Sequence, residues 1–414
     1  MKKLIWLLLL LTLIACGPAA ITTPTVTPSP SSTPAPMATN TSAPMATSAP
    51  EFGDLVQFCA EILPAVPEGR FSMGTLVVKS YGEGLTLLNF DQKTQRTIPG
   101  FFTDVSTSPN GKWLSYLSDS PTHNGSDLIL ESADEQKRVH LEDDWWNFGP
   151  ITWLNNKQVL FLTDDEFGAG PQTIAFNPFT GEQQVLYPDF PDFAPFYGSG
   201  SLPLYFNTTN VIYDPMLKYA VYPQDADDGY YFALRNLETG QTVAKVLSNG
   251  LYEPPPLWLS RGDAFVVAAF PDKDSPREWF MVSRDGKVRQ LTNFKDLFPA
   301  YEISSHASLL FEGYLVFGLS HGETPSQVGP MELFMLSLYS LDIYNYCIPF
   351  DDQLNPVWSP FGPYGAIRFL AVRYLDPNKK YPSIVVLDIE SGWAANVFSD
   401  DKEDRIPIGW FSGK

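Results

Sequence analysis

The feature that most constrains the fold is a recurring quartet of short apolar segments between residues 70 and 414. Each quartet opens with a segment carrying Pro, an aromatic residue or a turn. Examples are Ser108-Pro109-Asn110-Gly111-Lys112, Trp153-Leu154-Asn155-Asn156-Lys157, Tyr213-Asp214-Pro215, Trp258-Leu259-Ser260-Arg261-Gly262-Asp263 and Pro356-Val357-Trp358-Ser359-Pro360. Ile303-Ser304-Ser305-His306 is a degenerate copy, and Gly409-Trp410-Phe411-Ser412-Gly413-Lys414 ends the series. An apolar strand follows each opening. A third then leaves through a turn such as Asn236-Leu237-Glu238-Thr239-Gly240 or Ser283-Arg284-Asp285-Gly286, and a fourth completes the unit. Asn, Asp and Gly occupy the positions where a turn needs local side-chain bonding or positive φ.

Openings near residues 106, 151, 211, 256, 302, 356 and 408 recur about every 45 to 60 residues. Four strands per unit at that period read as blades of a β-propeller. Residues 74–99 supply three strands with no opening strand, and residues 407–413 supply an opening strand with nothing after it. The C-terminal strand is therefore expected to become the innermost strand of the first blade. That gives an all-β, seven-bladed ring, with six or eight blades as alternatives, and it removes exposed sheet edges.

The opening segment resembles the TolB-type propeller repeat, roughly Pro-x-Trp-Ser-Pro-Asp-Gly-Lys, most closely at residues 108–112 and 356–360. The resemblance covers residues 70–414 and implies protein–protein interaction in a bacterial envelope.

The N-terminal stretch MKKLIWLLLLLTLIACG has two lysines, a short apolar run and Leu13-Ile14-Ala15-Cys16. This is the layout of a signal peptide. The run is short for a membrane span. The tetrapeptide resembles the lipobox of bacterial lipoproteins, which implies cleavage after residue 15, acylation of Cys16 and an extracytoplasmic location, cell surface or periplasm. Residues 17–50 carry eight prolines and no charge. Such a composition cannot bury enough apolar surface to fold. Residues 16–51 thus read as a lipid anchor with a disordered Pro/Thr/Ser linker reaching up to about 100 Å.

Residues 52–69 are expected to form a lead-in. Asp54-Leu55-Val56-Gln57 looks like a capping box, and Leu55, Phe58, Cys59, Ile62 and Leu63 share a helical face. The reading is a short helix over 55–63 packed on the side of the ring. With Cys16 assigned to the anchor, Cys59 and Cys347 remain. They form either a disulfide, as an oxidising compartment permits, or two buried thiols.

The formal net charge is −20, from 27 Lys and Arg against 47 Asp and Glu. That balance excludes nucleic acid and disfavours direct docking on anionic lipid, so the membrane is reached only through Cys16. In a propeller, loops joining strands two to three and four to the next blade's first emerge on one face. Here they are long, acidic and aromatic, and include Asp143, Asp144, Trp145, Trp146, Asp189, Phe193 and Tyr197. The opposite set is short and regular. Long biased loops on a rigid scaffold are where binding residues concentrate. The expected function is a binding or scaffold module for an envelope protein, peptide or glycan. The alternative is a polysaccharide lyase or glycoside hydrolase of the same fold.

No catalytic residue is singled out. The four histidines show no ligand spacing, and no nucleophile elbow or phosphate loop is present. Asp225-Ala226-Asp227-Asp228-Gly229 begins like a calcium loop but lacks its downstream glutamate, which leaves Asp225 and Asp227 as weak calcium ligands and otherwise no cofactor.

Overall fold

The computed structural model describes residues 52–411, apart from 68–72, 81–83, 120–125, 135, 142–150, 164–171, 187–210, 249–253, 311–312, 350, 352–355, 359–368, 376–379 and 399–403. The signal peptide, Cys16 and the linker lie outside these residues.

Seven antiparallel sheets follow one another along the chain, and each is a blade. Blade 1 is built from Arg405–Phe411, Thr75–Ser80, Gly84–Asn89 and Thr94–Ile98, in that spatial order. Blade 2 spans Phe102–Leu141, blade 3 Thr152–Leu186, blade 4 Ile212–Ser248 and blade 5 Leu257–Gln290. Blade 6 spans Ala300–Pro349 and blade 7 Val357–Asn396. The closing strand pairs Thr75 with Phe411 and Leu76 with Trp410, so the C-terminus completes the first blade. Trp410 is 1% exposed and sits among Leu76, Val78, Phe369, Ala371 and Ile384, between blades 7 and 1.

The period-two pattern of the strands explains the core. Successive side chains point to opposite faces. Val77 and Leu87 therefore pack towards blade 2 with Phe102, Leu114 and Tyr116, while Leu76 and Val78 pack towards blade 7. Each blade interface is a separate apolar layer of this kind. The aromatic of the opening segment links a blade to the one before. Trp153 Nε1 donates to Ser115 Oγ at 3.0 Å, and Trp258 Nε1 donates to the Ile212 carbonyl at 3.2 Å.

The 52–63 segment is not the expected helix. It forms two strands, β1 (Leu55–Gln57) and β2 (Glu61–Leu63), each parallel to an outer edge. Leu55 is in register with Ile343 of blade 6, and Glu61 with Trp393 of blade 7. The reason is local. Two open edges offer backbone partners to Phe58 N, Ala60 N and Glu61 N, and Phe58 fits edge-on to Tyr346 at 5.7 Å. A nine-residue helix has no comparable gain, because isolated short helices are marginal. Cys59 and Cys347 are joined in a disulfide, with Cα atoms 4.8 Å apart and a sequence separation of 288.

Candidate binding face

Antiparallel strand order sends the connections to two faces. The lower face carries the turns from strand one to two and three to four, and those described in blades 2 to 5 are tight. In blade 2, Ser108 Oγ accepts from Lys112 N and Trp113 N while donating to Asn110 Oδ1. In blade 4 a carboxylate does the same job: Asp214 Oδ1 accepts from Lys218 N at 2.6 Å and Tyr219 N at 2.7 Å. These turns also bond to one another around the ring. Asn110 N donates to Asn156 Oδ1 in blade 3, Asn155 Nδ2 donates to the Pro215 carbonyl in blade 4, and Arg284 of blade 5 pairs with fully buried Asp214. Gly262 lies beside that last pair with φ +64, and a Cβ there would come 2.9 Å from Arg284 Nη2.

The upper face carries the other connections. Four groups sit at its blade junctions, and the sequence reading had singled out none of them. At the junction of blades 5 and 6, Glu278 is fully buried. Its Oε2 accepts from Thr292 Oγ1 at 2.7 Å and Phe294 N at 3.0 Å, and its Oε1 accepts from Tyr301 OH at 2.8 Å. One carboxylate thereby fixes the connection 291–301, including the single-turn helix α1 (Phe294–Leu297). Burial, and then the Glu278 charge, push the Tyr301 phenol far above its ordinary range.

At the junction of blades 6, 7 and 1, Arg373 is 6% exposed and bridges two connections. Its Nη1 meets Asp351 Oδ2 at 3.0 Å, and its Nη2 meets Asp404 Oδ1 at 2.6 Å. Arg405, on the closing strand, lies over the Phe398 ring at 4.2 Å. Between blades 1 and 2, Lys79 and Asp104 attract one another, yet burial dominates both. It lowers the lysine and raises the aspartate. Asp104 stands at a bulge of the innermost strand with φ 48, a conformation that Asp tolerates better than most residues. Only the position of these groups could have signalled them. Arg373 and Glu278 are lone charges at the upper end of otherwise apolar strands, Phe369–Tyr374 and Glu278–Ser283.

Outside these anchors the described part of the upper face is acidic. Asp225, Asp227, Asp228, Asp272, Asp274, Asp296, Glu302 and Glu323 are exposed on blades 4 to 6, with Lys273 and Lys295 among them. Phe101 at 64%, Tyr230 at 45% and Leu297 at 39% expose apolar surface on the same side. Asp143, Asp144, Trp145, Trp146, Asp189, Phe193 and Tyr197 lie outside the described residues.

Asp225 and Asp227 do not build a calcium loop. They belong to a hairpin in which Ala226 pairs with Gly229 and Asp225 faces Tyr230, while Asp228 Oδ2 accepts from Tyr231 OH at 2.9 Å. A two-residue turn is too tight to wrap the six to eight oxygens that calcium takes. Among the described residues no group of three or more His, Cys, Asp or Glu side chains is gathered to hold a metal.

No protein-family model matches the chain, and no curated protein matches it. Solved structures with a similar fold are numerous. TolB from Acinetobacter baumannii is 12% identical, with 80% of this chain and 81% of that chain covered and a TM-score of 0.42. The β-propeller domain of the trilobed protease from Pyrococcus furiosus is 11% identical, covering 85% and 100%, with a TM-score of 0.49. An oligogalacturonate lyase from Vibrio parahaemolyticus is 11% identical, covering 84% and 86%, with a TM-score of 0.46. The blade count rests on the seven sheets themselves.

Proposed function

We propose that this chain is a lipid-anchored, extracytoplasmic binding or scaffold propeller, and that its upper face receives a protein, peptide or glycan. The observation that carries this reading is where the chain enters the ring. Gly53 packs against the Leu341 backbone, so closely that a Cβ would lie 2.3 Å from Leu341 C. Leu341 belongs to a lower-face turn of blade 6, between Glu332–Ser337 and Ile343–Pro349. The described chain therefore begins at the lower face, and the acidic connections described on blades 4 to 6 lie on the opposite one. The interblade anchors Glu278 and Arg373 support the same reading, because a recognition surface costs less to order when its loops are already held.

Two experiments test it. Cys16→Ser should abolish incorporation of radiolabelled palmitate and release the chain from membranes; unchanged incorporation removes the anchor. Trp145→Ala with Trp146→Ala should weaken capture of envelope proteins or arrayed glycans at least tenfold while the unfolding midpoint is kept. Undiminished capture removes that loop as the contact. Turnover of a polysaccharide, lost on replacing one upper-face carboxylate, replaces the binding reading with the lyase or hydrolase one.

A further inference from the structure

The next strand in the chain after β2 is Thr75–Ser80, the second strand of blade 1. That strand is held on one side by the closing strand and on the other by Gly84–Asn89. It is the element on which ring closure depends. Tension that reached it would separate the C-terminal strand from the rest of its blade and open the ring.

Between residue 52 and that strand, the described residues are held by two three-residue pairings, β1 on blade 6 and β2 on blade 7, and by the partly buried Val66 against the layer of blades 7 and 1. Their few backbone hydrogen bonds exchange with water at little net cost. The disulfide lies between them. Cys59 follows β1 by two positions, and Cys347 sits in the fourth strand of blade 6, Ile343–Pro349. Phe58 and Ala60 flank it in the apolar layer shared by blades 6 and 7, with Tyr346, Met335, Leu387 and Ala394. The ring of Phe58 also reaches Gly392, where a Cβ would come 2.9 Å from Cε1.

We propose that the Cys59–Cys347 bridge makes residues 52–63 a load-bearing mount: tension from the tether enters blade 6 at Cys347 and is kept away from blade 1. The mount deepens the reading of residues 16–51 as a tether. Its test does not require the lipid, so the two stand or fall separately.

The test is magnetic-tweezers extension of the full chain, held by an N-terminal biotin and by a click-chemistry handle at the exposed Lys157 on the lower face. With the disulfide intact, only residues 52–59 can be drawn out before the Cys59–Cys347 bridge bears load, which is about 30 Å at full extension. In the Cys59→Ser, Cys347→Ser variant the first release runs to residue 72, about 70 Å. Opening of blade 1 follows at lower force. Wild-type chain treated with dithiothreitol is the second comparator, so a variant that fails to fold leaves the question decidable. A first step more than twice as long on loss of the bridge, in either comparator, supports the mount. Equal first steps with and without it, or ring opening at the same force, overturn it.

Discussion

Gly409→Ala is the most direct probe of ring closure. Gly409 lies on the closing strand, and the atoms that a Cβ would meet all belong to Thr107 of blade 2: Oγ1 at 2.0 Å, Cγ2 at 2.7 Å and Cβ at 2.9 Å. A rotamer change can move Oγ1 and Cγ2, but not the threonine Cβ, which is already inside contact distance. The backbones of two blades must therefore part. Overpacking of this kind costs about 1–3 kcal/mol. The lower entropy of the unfolded alanine chain returns about 0.4–1 kcal/mol. A net loss of about 1–2 kcal/mol follows, measured by urea unfolding with an unchanged slope. Thr107→Gly removes all three clashing atoms, so the double variant should recover about 1–2 kcal/mol relative to additivity, as residues in contact do. A Gly409→Ala protein as stable as the wild type, or a cycle that adds to within about 0.5 kcal/mol, refutes the placement of the closing strand against blade 2.

Three further outcomes are expected. Trp410→Ala should cost about 3–5 kcal/mol as a large buried-to-small change. Trp410→Phe should cost under about 1.5 kcal/mol, since it keeps the ring in its layer and removes a buried indole N–H that has no acceptor among the described residues. Asp214→Ala should destabilise by about 3–5 kcal/mol, because it leaves the Arg284 guanidinium without its carboxylate. Chemical denaturation of each variant supplies the check. Above pH 10 the protein should lose stability. The phenols of Tyr213, Tyr301 and Tyr346 are all raised by burial, so the folded state holds protons that the unfolded chain gives up from about pH 10 upward. Glu278→Gln should bring the Tyr301 phenol down towards the ordinary range, read by ultraviolet titration; an unmoved Tyr301 means the carboxylate is not what faces it.

The propeller could be read from the residues because its signals are short-range and repeated. Ser108, Asn155 and Asp214 each bond to backbone amides two to five residues away, so the turn chemistry is written where the turn occurs. The unmatched strands at the two ends of the array announced closure for the same reason. The lead-in was misread because Leu55, Phe58, Cys59, Ile62 and Leu63 satisfy a helical period by composition alone. What decides against a helix is two open sheet edges far along the chain, at Ile343 opposite Leu55 and at Trp393 opposite Glu61. The actual burial even breaks the supposed apolar face, since Ile62 is 55% exposed.

The same distinction separates the two faces of the ring. The lower face of blades 2 to 5 is made by contacts within a turn and between neighbouring turns. The upper face is fixed by contacts that no repeat prescribes: Arg373 joins Asp351 to Asp404 across three blades, and Glu278 gathers Thr292, Phe294 and Tyr301 from an irregular connection. Each such residue occurs once and has no local pattern. A face built from unique long-range pairs can diverge from blade to blade without disturbing the strands beneath it, whereas the lower turns of blades 2 to 5 are tied to one another. That difference in constraint supports the proposal that the upper face receives the partner. It also predicts where substitutions act: replacing the exposed Asp272 or Asp274 should leave the urea unfolding midpoint unchanged while changing partner capture. Destabilisation by either would mean that the upper connections carry the ring rather than ride on it.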